Sequence, residues 1–210
     1  MSRCLVTDIS DLLDVDGQPV NGPTGRLARY LGLIIEAGSI MSEGEGGYVP
    51  MRCANPTRKR PCNAQLTASP TFQDHIEFEC PSCGEQGLIV NWQGTCFDLT
   101  DAPELSHHPE HRDVVVQLDE LDTMRRFGGL SPRLRRLLVE AASIGNNYLF
   151  FLAGHHELVQ LREAARGAAD RHKSGERRLL DRFCARMDAF ITTLSSSISD
   201  EEQRSYQLLN

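Results

Sequence analysis

Cys53-Ala-Asn-Pro-Thr-Arg-Lys-Arg-Pro-Cys62 and, after a gap of 17 residues, Cys80-Pro-Ser-Cys83-Gly84 set four thiols in two pairs, each at the turn between two strand-like runs. Zinc prefers four tetrahedral ligands of sulfur or nitrogen, and two cysteine-bearing loops side by side supply them when the strands between them form hairpins. The second pair is the sharper signal. Pro81 presets the turn, two intervening residues let both sulfurs face one point, and Gly84 can take the positive φ needed to leave it.

Working outward, the flanking residues read as four short strands at 48–52, 64–68, 75–79 and 87–92. His75-Ile-Glu-Phe-Glu79 alternates polar and apolar, as a strand with one wet face does. The first strand runs into Cys53, the second leaves Cys62, the third runs into Cys80 and the fourth leaves after Cys83, so all four sulfurs fall at one end of the sheet. Ile76 and Phe78 are expected to line a small core with Leu66, Ile89 and Trp92. The predicted site is therefore a structural Zn2+ held by Cys53, Cys62, Cys80 and Cys83. The eight residues inside the first pair exceed the usual spacing of two to four, which makes Cys96 a rival for the fourth position. Strand 87–92 carries the chain about 20 Å from the knuckle, which favours Cys53.

The loop between Cys53 and Cys62 carries Arg58, Lys59 and Arg60, and with Arg52 it brings four cations and no acid to the metal end. Such a tip could face phosphate, or it could offset the charge that four thiolates leave on zinc. It lacks the aromatic residues on which single-strand binders stack bases. Arg133, Arg135 and Arg136 lie in the first turn of a helix, where the macrodipole disfavours cations; an anionic partner would explain them, but a solvated face is the commoner reason. His107, His108 and His111 could hold a second metal, but exposed linker histidines are commoner. Asp14-Val-Asp16-Gly17 fails as a calcium loop, because the register puts Leu12 and Pro23 at ligand positions.

The remainder reads as an α+β chain: a small antiparallel zinc-ribbon sheet plus a mostly helical C-terminal module with a short two-stranded sheet. Residues 1–45 are expected to form an N-terminal segment and an amphipathic helix capped by Thr24, with Leu27, Leu31, Ile34 and Ile35 on one face. The ribbon occupies 46–100 and a polar linker 101–112. The module at 113–199 begins with a strand at 113–118 that pairs with 148–152, and Ser131-Pro132 starts a helix bearing Leu134, Leu137 and Leu138. Its core is expected to include Val115, Leu138, Phe151, Leu161, Phe183, Met187 and Phe190. Residues 200–210 read as a tail.

Cys80-Pro-Ser-Cys83-Gly-Glu-Gln-Gly87-Leu-Ile-Val-Asn-Trp92-Gln-Gly94-Thr95, with Asp98-Leu99 after it and Arg52-Cys53…Arg60-Pro-Cys62 before it, resembles a group of uncharacterised bacterial zinc-ribbon proteins. The resemblance covers about residues 45–100 well and the region after 113 loosely. It implies a metal-binding ribbon followed by a mostly helical module, and it implies no activity. Cys96 departs from the group's pattern.

Seven cysteines, an odd count, without an export signal favour reduced thiols and a metal over a disulfide framework, so the cytoplasm is the expected address. The longest apolar run, from Tyr148 to Ala153, is far too short to span a membrane. A net charge of -7 argues against a protein that coats nucleic acid non-specifically, and the balance is local: residues 1–111 carry 7 basic and 15 acidic groups, residues 112–210 carry 15 and 14. No catalytic motif is present. The chain reads as a non-enzymatic adaptor that docks another protein, with a nucleic-acid-binding regulator using Arg52, Arg58, Lys59 and Arg60 as the alternative.

Overall fold

A computed structural model describes residues 4–54, 62, 64–103, 111–127, 129–145, 148–172 and 175–208. In chain order the elements are β1 (Cys4–Asp8), a 3-10 turn (Ile9–Leu12), α1 (Gly22–Gly38), β2 (Gly47–Arg52), β3 (Gln65–Pro70), β4 (Ile76–Glu79), β5 (Gln86–Val90), β6 (Arg112–Gln117), α2 (Leu118–Phe127), α3 (Pro132–Val139), β7 (Ala142–Gly145), β8 (Tyr148–Ala153), α4 (His155–Arg171) and α5 (Gly175–Leu208). The class is α+β. Two compact units divide the chain, one of residues 1–105 with 131–142, the other of 106–130 with 143–210.

In the first unit the sheet order is β1-β5-β4-β3-β2. The strands β2 to β5 form the antiparallel meander expected from the sequence, with Thr67 opposite Glu79 and Glu79 opposite Gln86. β1 extends it in parallel, Cys4 opposite Gln86 and Asp8 opposite Val90, so the sheet is mixed and five-stranded where a small antiparallel one was expected. A five-residue strand whose partner lies far along the chain leaves no local turn or period to read. Alternation holds in β4, where Ile76 and Phe78 are buried and Glu77 and Glu79 exposed, and Leu66, Ile89 and Trp92 complete the core.

α1 covers this core with Leu31, Ile34 and Ile35, while Leu27 stays exposed. It starts earlier than Thr24, at an Asn21 cap, because Pro23 fits the first turn. Gly32 and Gly38 allow close approach: a Cβ at the first would overlap the ring of Phe97, and one at the second would meet the Ile76 side chain. Beyond β5, the Trp92 indole N–H donates to the Asp74 carbonyl at 2.8 Å and the Thr95 hydroxyl to the Trp92 carbonyl at 2.7 Å. Gly94 makes that turn at φ +69 and donates its N–H to the Asp98 carboxylate at 2.9 Å. Leu99 is buried and donates its N–H to the Ser39 hydroxyl at 3.1 Å, and Ala102 joins the core, so the unit extends past the expected start of a linker at 101.

α3 also belongs to this unit and not to a module at 113–199. Ser131 caps it as expected, and Leu134, Leu137, Leu138 and Val139 are buried. Its anchors are charged. Arg135 donates to the Glu36 carboxylate of α1 at 2.9 Å and to the Cys96 carbonyl at 2.7 Å, and Arg136 bonds the Ala102 carbonyl and Glu140. For Arg135 and Arg136 an anionic partner is therefore supplied by the chain itself.

In the second unit β6 pairs antiparallel with β8, Arg112 opposite Ala153 and Gln117 opposite Tyr148, and β7 makes a third strand of an expected two-stranded sheet. β6 buries Val114 and Val116 and leaves Val115 half-exposed, a one-residue change of face from the expected core. α4 and α5 pack through Leu158, Leu161, Ala165 and Ala168 against Leu180, Phe183 and Met187, with Phe151 buried on β8. Phe190 is half-buried. Glu120, fully buried at the start of α2, accepts the Gln117 N–H at 3.1 Å and pairs with Arg186 at 2.7 Å and Arg182 at 3.5 Å, fixing α5 to α2. α5 runs to Leu208, so most of the expected tail at 200–210 is helical. Among the described residues, no helix is long and apolar enough to cross a membrane.

Candidate metal centre

β2 delivers Cys53 and β3 leaves Cys62, while β4 delivers Cys80 and the turn to β5 carries Cys83. Two ladders fix these ends: the Cys53 N–H donates to the Ala64 carbonyl at 2.9 Å, extending the β2–β3 pairing, and the Cys80 N–H donates to the Glu85 carbonyl at 2.7 Å. Gly84 closes the knuckle at φ +67, with its N–H on the Cys80 carbonyl at 2.9 Å. The four sulfurs lie within 4.8 Å of one another, Cys53 to Cys83 at 3.6 Å and Cys62 to Cys80 at 3.6 Å.

These spacings test whether a metal fits. A tetrahedron with zinc–sulfur bonds of about 2.3 Å has an edge of about 3.8 Å, whereas a disulfide would bring two sulfurs to about 2.05 Å. Both measured pairs, at 3.6 Å, sit at the tetrahedral edge. Cys53, Cys62 and Cys80 are buried, and Cys83 is half-buried. Burial pushes the Cys80 thiol up from its ordinary range, and backbone N–H groups of Cys83 and Ser82 pull it back. The cluster is compatible with a structural metal site.

Cys96 lies outside the cluster, against the core beside Arg135, and burial raises its thiol. Of the basic tip, Arg58, Lys59 and Arg60 lie outside the described residues, and Arg52 is half-buried at the end of β2. His107 and His108 likewise lie outside them. His111 packs against Gly154 and enters no metal-ligating cluster among the described residues. Asp14 serves its own turn, its carboxylate accepting the N–H groups of Asp16 at 3.0 Å and Gln18 at 2.9 Å.

Sequence reasoning passed over Glu85. Its carboxylate accepts the Cys53 thiol at 3.7 Å; burial pushes the carboxyl up and that hydrogen bond lowers it. Its place two residues after Cys83 was the available signal, but nothing local shows that the side chain turns toward Cys53 on another hairpin. Comparison of the chain with protein-family models, curated proteins and solved structures finds no match.

Proposed function

We propose that residues 46–100 form a zinc ribbon in which Cys53, Cys62, Cys80 and Cys83 hold one structural zinc ion, and that the chain is a non-enzymatic adaptor docking another protein in a reducing cytoplasm. The observation that carries this reading is the pair of 3.6 Å sulfur contacts at one end of the sheet, close to the edge of a zinc–thiolate tetrahedron. Four thiolates fill a tetrahedral shell and leave no coordination position for water or substrate, which favours scaffolding over catalysis. The resemblance to bacterial zinc-ribbon proteins points the same way.

The test is elemental analysis of the purified chain together with binding to generic DNA and RNA over a salt series. One zinc per chain, lost in Cys80→Ser, with no salt-dependent nucleic-acid binding, is the expected result. A steep fall of affinity with salt would decide for the nucleic-acid alternative. That alternative now rests on Arg52, Arg58, Lys59 and Arg60, since Arg135 and Arg136 are engaged within their own unit.

A further inference from the structure

Glu85 stands against the Cys53 thiol in a position that a purely structural site does not require. Its Oε2 accepts the Cys53 thiol at 3.7 Å, next to but outside the group of four sulfurs. Its backbone, through the Cys80 N–H at 2.7 Å, is tied to the turn that carries Cys80 and Cys83. Cys53 comes from β2, on the other hairpin. The carboxylate thus touches the Cys53 sulfur from the turn that carries Cys80 and Cys83. Zinc takes a carboxylate oxygen at about 2.0–2.2 Å as well as sulfur at about 2.3 Å.

Resting on the zinc reading above, we propose that Glu85 is a reserve metal ligand that takes the position of Cys53 during metal exchange. In that step the bond from metal to the Cys53 sulfur breaks, a bond to the Glu85 oxygen forms, and the freed thiolate takes a proton from water. No electrons change hands. The outcome would be a three-sulfur, one-oxygen shell that gives up its metal more readily than four thiolates do. Cys62 lies against Cys80, its sulfur 3.6 Å away.

The experiment uses the full chain loaded with cobalt, whose absorption reports the number of sulfur ligands. Cys53→Ala is expected to retain cobalt with a three-sulfur spectrum, and adding Glu85→Gln to weaken binding by about tenfold in a chelator competition. In a Cys62→Ala background the same Glu85→Gln change is expected to leave affinity unaltered. Because loss of a cysteine could unfold the unit, the four-cysteine protein carries a second measurement: Glu85→Gln alone slows transfer of zinc to a chelator at unchanged stoichiometry. Equal cobalt affinities of Cys53→Ala with and without Glu85→Gln, or equal zinc-transfer rates for the parent and Glu85→Gln, overturn the proposal. A parent chain that holds no metal overturns the zinc reading and this inference with it, whereas a loaded parent that is indifferent to Glu85 overturns this inference alone.

Discussion

Two side chains show how differently single residues carry the first unit. Cys80 lies at 0% exposure with its sulfur 3.6 Å from Cys62, so on the proposed zinc reading its loss removes a ligand and leaves a polar gap inside the core. Metal ligation in small zinc modules is coupled to folding and worth roughly 10 kcal/mol or more, and Cys80→Ser is expected to abolish zinc binding and loosen residues 48–95. Trp92, the chain's single tryptophan, sits in that core and reports the change by fluorescence, alongside elemental analysis. Arg135 acts without metal. Its guanidinium meets Glu36, whose side chain is only 3% exposed, and Arg135→Ala leaves a buried carboxylate without this cation, a loss of about 3 kcal/mol. Urea unfolding followed at Trp92 measures it, and an unchanged midpoint would show that α3 is held by its leucines alone.

At the scale of elements, two helices of the second unit set its stability and its response to pH. Phe183 on α5 is fully buried, and Phe183→Ala is expected to cost about 3–5 kcal/mol through lost burial and the remaining cavity. Asp122 on α2 behaves in the opposite sense. Burial pushes its carboxyl above the ordinary range despite the Arg126 guanidinium at 2.9 Å, so the folded state binds this proton more tightly than the unfolded chain. The stability it contributes is complete below the unfolded value, about 3.9, and is lost as pH rises through the raised folded value. Asp122→Asn should therefore raise the melting temperature at neutral pH and lose that advantage in acid, as a pH series of circular dichroism melts would show. The elements themselves were legible wherever the signal was local: Cys80-Pro-Ser-Cys83-Gly84 marks a turn by its own residues, and Ser131-Pro132 starts a helix by its own cap. What pairs at a distance was not. The run Cys4–Asp8 says strand only once β5 lies beside it, and the stripe of Leu134, Leu137 and Leu138 says that a face is buried without saying against what. Four converging thiols could be read from spacing, whereas Glu85 beside Cys53 required the fold.

For the molecule as a whole, the decisive feature is that residues 131–142 belong with 1–105 although 106–130 intervene. A fragment spanning 113–210 carries α3 away from the first unit and exposes Val139, its residue in that unit's core, to water. It is expected to self-associate in sedimentation analysis, and replacing 131–142 by a Gly/Ser segment of equal length is expected to restore a monodisperse, cooperatively melting unit. Cooperative, monodisperse behaviour of the unaltered fragment would argue against this division. The same crossing of the chain has a consequence during synthesis. A ribosome delivers β1 through β5 and all four clustered cysteines long before α3, so metal can be captured while the seat for Arg135 is still vacant. By the time residue 142 emerges, β6 and α2 are already out and waiting for β8, α4 and α5. The first unit is thus completed only after part of the second has already been made.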